Sequence, residues 1–289
     1  MAIIRLIRVY QWIKNTFVFL PLFFAGKLLS DPDALVRLLG IFFCFSFVAS
    51  SVYILNDYMD READRQHPEK CKRPLASGEV STIQAWVTMG ILLVVGLGGA
   101  WILEPRAGII ITTYLMLNVL YSIKLKHVPI LDISIIATGF LLRILAGGVV
   151  AEVELSRWII IMTFLLALFM GIAKRREDVL LFNASGNKAR KSIDGYNLDF
   201  INISLGLMSA VIIVAYIMYT MAEVADSVQR HPDSYMTTVF VILGILRYLQ
   251  ITMVENNSGS PTKILLKDRF IQFTVIAWIV AYYIFIYQS

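Results

Sequence analysis

Long apolar runs broken by short polar stretches set the pattern of this chain. They recur near 13–30, 35–57, 81–103, 107–123, 130–150, 157–173, 200–222, 235–254 and 268–287. Each is close to the ~20 residues that a helix needs to cross the hydrocarbon core of a bilayer. The first and sixth are the shortest. The pattern predicts an all-α polytopic membrane protein: one domain over 1–289, a bundle of about nine transmembrane helices. Residues 1–14 place Arg5, Arg8 and Lys14 among Ile, Leu, Val, Tyr and Trp, which reads as a basic lead-in lying at the interface. The first crossing is expected to act as the insertion signal, with no removable leader.

Composition agrees with this reading. Of the residues, 58% are hydrophobic and only 16% charged, too few charges for a soluble domain of this length. The distribution of charge says more than its sum of +5. With the N-terminus inside, about twenty of the 26 Lys and Arg residues fall on the inner side, leaving Lys27, Arg37, Arg106, Arg157 and Arg230 outside. That is the positive-inside bias expected of a plasma (inner) membrane protein. The polar loops 58–80 and 174–199 are then cytoplasmic, and the outer connections, such as Glu104-Pro105-Arg106, are short. Cys44 and Cys71 form no disulfide or zinc spacing, and His67, His127 and His231 form no metal-ligand pattern. No nucleic-acid partner is expected, and the oligomeric state is left open.

The chemistry concentrates in Tyr53-Ile-Leu-Asn56-Asp57-Tyr-Met-Asp60-Arg61-Glu62-Ala-Asp64-Arg65, where an apolar run ends. On one continuous helix Tyr53, Asn56, Asp57, Asp60 and Asp64 share a face, at i, i+3, i+4, i+7 and i+11. Oxygen-bearing side chains so arranged at a membrane surface suit Mg²⁺, which is held by a few carboxylates plus substrate phosphates. Asn56, Asp57, Asp60 and Asp64 are the candidate metal ligands. The alternative is a solvated helix end with its acids paired to Arg61 and Arg65.

Basic residues on the same side can hold phosphates: Lys14, Lys70-Cys-Lys72-Arg73-Pro74, Lys126, Lys174-Arg175-Arg176, and Lys188, Arg190 and Lys191. The competing explanation is topology, which by itself makes cytoplasmic loops basic. Arg143 stands apart. It lies inside the apolar run Gly139-Phe-Leu-Leu-Arg143-Ile-Leu-Ala-Gly147-Gly148. A charge there faces the bundle interior or water and finds a partner, unless it snorkels to the interface.

Asn56-Asp57-x-x-Asp60-x-x-x-Asp64 after an apolar helix resembles the first aspartate-rich motif of the UbiA superfamily of intramembrane prenyltransferases. That resemblance implies a helical bundle around a cavity open to the cytoplasmic side, where Mg²⁺ holds a diphosphate. Members of that superfamily usually carry a second aspartate-rich motif after the sixth crossing. Here the place reads Lys174-Arg175-Arg176-Glu177-Asp178. A wider set is similar to one branch, the decaprenyl-phosphate phosphoribosyltransferases: Arg8-x-x-Gln11-Trp12-x-Lys14-Asn15, Ser51-Val52-Tyr53-x-x-Asn56-Asp57, Glu62-Ala63-Asp64-Arg65-x-His67-Pro68, Leu125-Lys126-His127, Leu142-Arg143-x-x-Ala146-Gly147-Gly148-Val149, Lys174-Arg175 and Ile245-Leu246-Arg247-Tyr248.

The resemblance implies transfer of phosphoribose from 5-phosphoribosyl diphosphate to a polyprenyl phosphate, a step commonly feeding cell-wall biogenesis. It implies that Asn56 and Asp60 hold Mg²⁺ with Asp57 and Asp64 nearby, and that Lys14, Tyr53, Lys70, Lys126 and Arg143 surround the phosphates, joined by Lys174 and Arg175. Asp57, Asp60 and Arg143 are the expected catalytic residues. Two readings stay open beside it. A prenyltransferase acting on an aromatic or other small acceptor predicts a second acidic motif. A transporter predicts ionisable groups spread through several helices.

Overall fold

The computed structural model describes residues 2–66, 70–186, 191–221, 232–256, 264–265 and 267–287. Among the described residues every regular element is helical. They are α1 Ala2–Leu6, a 3₁₀ stretch Val9–Phe19, α2 Leu20–Phe24, α3 Pro32–Met59, α4 Arg61–Arg65, α5 Pro74–Ser77, α6 Thr82–Leu103, α7 Pro105–Ile123, α8 Leu131–Val150, α9 Arg157–Ser185, α10 Leu198–Met221, α11 Thr238–Met253 and α12 Arg269–Tyr287, with short 3₁₀ turns at Lys70–Lys72, Leu125–His127, Lys191–Gly195 and Pro232–Thr237. Among the described residues seven helical segments are long and apolar enough to cross a membrane, one of them Asp233–Met253, in which a 3₁₀ stretch runs into α11, and α12 is a shorter apolar helix. The chain is a multi-pass membrane protein.

The element boundaries follow local chemistry. Pro32 opens α3, and the Asp31 carboxylate accepts the Ala34 N–H at 2.9 Å. Ser81 and Gln84 form a reciprocal capping box on α6. The Ser156 hydroxyl caps α9. Two boundaries differ from the pattern of apolar runs. The first run, 13–30, is not one α-helix but the 3₁₀ stretch followed by α2. Pro21 has no N–H to continue an α-helical ladder there. The sixth run does not end at 173. α9 continues to Ser185, where Gly186 terminates it at φ 70°. Ion pairs one turn apart, Lys174–Glu177 and Arg175–Asp178, support this polar extension.

The chain divides into two compact units. The first comprises Met1–Lys126 and Gly139–Leu155. Here α3 packs on α6, α7 and the 3₁₀ stretch. Its core includes Val18, Leu22, Leu38, Phe45, Val52 and Ile111. Small residues bring backbones together, as is usual between transmembrane helices. A Cβ on Gly96 would lie 2.9 Å from the Cys44 carbonyl oxygen, and one on Gly147 would overlap the carbonyl of Val18. The outer face of α6 leaves Ile83, Val94 and Ile102 exposed, as a lipid-facing surface does.

The second unit comprises His127–Thr138 and Ser156–Ser289. In it α9 packs on α10, α10 on α11, and α11 on α12. Phe169, Ile201, Leu205, Tyr248 and Ile251 are central to its core. Some polar tips inside it are paired: the Trp278 indole donates to the Tyr216 hydroxyl at 2.6 Å, which also bonds Thr237 at 2.7 Å.

Gly147→Ala forces α8 away from a backbone carbonyl that cannot yield, so it should cost about 1–3 kcal/mol. Thermal unfolding of the purified protein in detergent checks this. Gly90→Ala, with open space around the added methyl, is the control and should leave the midpoint unchanged.

Candidate active site

The site is built at the end of α3. The helix gives way at Asp60 (φ −92°, ψ 0°), and Asp64 lies on the separate helix α4. The single stripe expected from spacing is therefore broken after Asp57, although the Asp64 N–H still bonds the Asp60 carbonyl at 2.8 Å. Asp57 and Asp64 are 2% and 3% exposed, so neither carboxylate is solvated and each needs a protein partner. Arg8 and Arg73 supply them. Arg8 pairs with Asp57, while one nitrogen of Arg73 bridges Asp57 at 3.1 Å and Asp64 at 2.6 Å. The expected alternative partners, Arg61 and Arg65, are bound to Glu62.

Asp60 takes a different cation. The ammonium of Lys126, itself 8% exposed, lies 2.5 Å from Asp60 Oδ1. The Asn56 amide donates to Asp60 Oδ2 at 3.1 Å. The amide oxygen of Asn56 is buried and has no hydrogen-bond partner. An orphaned oxygen beside a carboxylate costs free energy unless a ligand completes it. The donor set here is entirely hard oxygen, which fits Mg²⁺. Among the described residues no three His, Cys, Asp or Glu side chains form a metal-binding group, so Asn56 and substrate oxygens would have to complete the shell.

The N-terminal segment is held against this end of α3. Ser46 and Ser50, one turn apart, bond Asn15 at 2.9 Å and the Trp12 indole at 3.0 Å, and Ser50 also donates to the Ile7 carbonyl. Arg8 adopts a left-handed conformation (φ 52°), unusual without glycine, and its guanidinium lies 5.4 Å from the Tyr53 ring centroid. Tyr53 is within electrostatic reach of both Arg8 and Arg143.

Arg143 is 4% exposed and faces inward, so snorkelling is excluded. Its Nε donates to Asn15 Oδ1 at 2.7 Å, one terminal nitrogen to the Gly139 carbonyl at 2.7 Å, and the other to the Tyr114 hydroxyl at 3.3 Å. The rings of Phe45, Tyr114 and Phe140 surround it at 4.9 to 5.3 Å. All these partners are neutral. Lys14 is half-buried and within electrostatic reach of Arg143 and Arg8. Among the described residues neither Arg143 nor Lys14 pairs with a carboxylate. Lys70 is half-buried in a 3₁₀ turn, Lys70–Lys72, whose carbonyl accepts the Arg73 N–H.

The remaining expected residues lie in the second unit. Lys174 pairs with Glu177. Arg175, 2% exposed, is tied to Asp178 and lies 3.2 Å from Asp132, which also accepts from Ser192 at 3.1 Å and Tyr196 at 2.8 Å. Burial, with Asp132 beside it, pushes the Tyr196 phenol up, so it stays a neutral donor. Lys188 and Arg190 lie outside the described residues, as do His67 and Pro68 of the resembling segments. Reading residue by residue misses Arg8 and Asn15 as members of the site, and places Arg73 in a basic run that can hold phosphates without its pairing to Asp57 and Asp64. The signal was present: Arg8 and Asn15 belong to one resembling segment, and Arg73 stands in the basic run before Pro74.

The UbiA prenyltransferase family model matches residues 16–181, and the chain belongs to that family. It is 33% identical over 289 aligned residues to the decaprenyl-phosphate phosphoribosyltransferase of Mycolicibacterium smegmatis, covering 96% of this chain and 90% of the relative. The enzyme of the same name from Mycobacterium tuberculosis is 30% identical, with 96% and 92% covered. The fold is shared with a UbiA homologue from Archaeoglobus fulgidus solved with DMAPP and Mg²⁺, at TM-score 0.74 and 20% identity over 97% of both chains.

The two sets of cations separate by experiment. Arg175→Gln leaves the fully buried Asp132 without its counter-charge and should destabilise the protein by about 3–5 kcal/mol. Lys14→Gln removes no carboxylate's partner and should leave the thermal midpoint in detergent unchanged.

Proposed function

We propose that this protein is a magnesium-dependent glycosyltransferase. It moves 5-phosphoribose from 5-phosphoribosyl diphosphate to a membrane polyprenyl phosphate of the decaprenyl phosphate type, releasing diphosphate. The observation that carries this reading is the charge balance around α3. Asp57, Asp60 and Asp64 are matched by Arg8, Arg73 and Lys126, while Arg143 and Lys14 add positive charge that no carboxylate among the described residues matches. A surplus of cation suits a donor bearing an extra 5-phosphate and an acceptor that is itself a phosphate. The names of the full-length relatives point the same way.

In this reading Asn56 and Asp60 hold Mg²⁺, with Asp57 and Asp64 next to them. When bound, the ion neutralises charge developing on the departing diphosphate. Lys126, Lys70 and Lys14 bind donor phosphates, and the resemblance keeps Lys174 and Arg175 as expected substrate-binding residues. Arg143, steadied by Asn15, holds two like-charged groups close despite their repulsion, and Tyr53 orients them. The acceptor oxygen is already anionic and needs no general base, so positioning and electrostatic stabilisation supply the rate. In this reading the N-terminus and the site face the cytoplasmic side of the plasma membrane, which the bias of basic residues to one set of loops supports.

A second reading is an isoprenoid transfer from prenyl diphosphate to an aromatic or other small acceptor. It is favoured by the structural neighbour's DMAPP and Mg²⁺. It is weakened by Lys174-Arg175-Arg176-Glu177-Asp178 at the place of the second acidic motif.

Membranes containing the protein, given radiolabelled 5-phosphoribosyl diphosphate, polyprenyl phosphate and Mg²⁺, should form a labelled, organic-extractable lipid. Chelation should abolish it, and Asp60→Asn should lower the rate by about 10²-fold or more. Transfer from prenyl diphosphate, with none from 5-phosphoribosyl diphosphate, would replace the first reading by the second.

A further inference from the structure

Lys126 is the cation that meets Asp60, yet its own turn gives it little backbone support. It sits in the single 3₁₀ turn Leu125–His127, just beyond the end of α7. A turn of three residues has few bonds of its own, so what fixes it must come from the chain that follows. That chain carries an anomaly. Ile130 adopts φ 66°, a left-handed conformation that is a true outlier for a β-branched residue. Its side chain is 57% exposed, so packing does not hold it there.

The backbone is held instead. The Ile130 N–H donates to the Tyr196 hydroxyl at 2.7 Å, and the Ile130 carbonyl accepts the Ser134 N–H at 2.9 Å. Tyr196 has one hydroxyl proton and gives it to Asp132 Oδ1 at 2.8 Å, which leaves the phenol oxygen to accept from Ile130. Asp132 is fully buried and held in turn by Ser192 at 3.1 Å and Arg175 at 3.2 Å. One residue before Tyr196, Gly195 lies so close to Pro129 that a Cβ would be 2.3 Å from Pro129 Cγ. The segment 191–196 therefore grips the turn at two adjacent points. A strained residue persists only where its surroundings over-determine it, and here Tyr196 and Gly195 supply that restraint.

We infer that Tyr196, backed by Asp132, is a positioning residue for Lys126: it clamps the strained turn at Ile130 and so fixes the backbone that presents the ammonium to Asp60. The clamp is independent of the reaction. Its consequence for donor binding rests on the phosphoribosyl reading above.

Lysine modification of the full-length protein in nanodiscs tests this. Formaldehyde with cyanoborohydride methylates free amines, and peptide mass spectrometry gives the rate at each lysine. Lys126, 8% exposed and held on Asp60, should react slowly. Tyr196→Phe keeps the ring beside Phe200 but removes the hydroxyl. It should raise the Lys126 rate on the order of tenfold and leave the exposed Lys124 unchanged. Gly195→Ala should do the same by pushing on Pro129. Ile130→Gly alone should keep the rate low, because glycine takes a positive φ without being held. Added to Tyr196→Phe, it should return Lys126 most of the way to its native rate. In turnover of 5-phosphoribosyl diphosphate, Tyr196→Phe should raise KM for that donor by a similar factor, with kcat less affected.

An unchanged Lys126 rate in Tyr196→Phe, a rise shared by every lysine as general loosening would give, or a rise that Ile130→Gly does not reverse, overturns the clamp. Lysine rates that behave as expected in a protein that makes no labelled lipid from 5-phosphoribosyl diphosphate would remove the proposed reaction and leave the clamp standing.

Discussion

A charge at the end of an apolar helix has to be matched, and the arrangement around α3 follows from that requirement. Asp57 lies in the last turn of a helix long and apolar enough to cross a membrane, so water does not stabilise it. Its partners come from separate stretches of chain: Arg8 from the N-terminal segment and Arg73 from the loop before α5. Asp60 reaches Lys126, beyond the end of α7. The matching therefore does more than neutralise. It ties the N-terminal segment, the loop after α4 and the turn after α7 to one helix end, and so assembles a polar site from segments remote in sequence.

Backbone economy makes room for this. The N-terminal stretch is 3₁₀ up to Phe19, and Asn15, Trp12 and Ile7 are fixed by two serines of α3. Asn15 uses its amide nitrogen on Ser46 and its oxygen on Arg143, so one buried side chain links α3 to the deep cation of α8. Gly147, one turn further along α8, allows the contact with Val18 that brings the same stretch close. Substituting either residue would shift Arg143 relative to Tyr53, with no change in charge.

Much of this was legible beforehand. The apolar runs, the acids at 56–64 and the isolated Arg143 could all be read from residue types and spacing. Helix continuity in the first and sixth runs could not. Hydropathy follows apolar side chains, so it ran through Pro21 as if the backbone were unbroken and stopped at Lys174 because the helix there becomes polar. The pairing of charges was hidden for another reason. Spacing reports neighbours along one helix, whereas Arg8, Arg73 and Lys126 reach the acids from elsewhere in the chain. The resemblance at Arg8-x-x-Gln11-Trp12-x-Lys14-Asn15 held that information, but only as a motif without a stated contact.

The buried cations sort into two kinds, and the sorting carries the functional argument. Arg175 answers Asp132 and Asp178. Arg176 donates to Asn202, to the Thr252 carbonyl near the end of α11 and to Asn256, so it binds α9 to α10 and α11. Both satisfy demands that the fold itself creates. Arg143 answers no acid among the described residues. Its neutral oxygens and aromatic faces offset part of the cost of burying a guanidinium without cancelling its charge. A fold gains nothing in stability by keeping such a residue where leucine would pack, because removing a buried charge together with its desolvation penalty is often neutral or favourable. What Arg143 supplies is a fixed positive potential inside an apolar unit, and the proposed reaction is what would use it, on its anionic substrates.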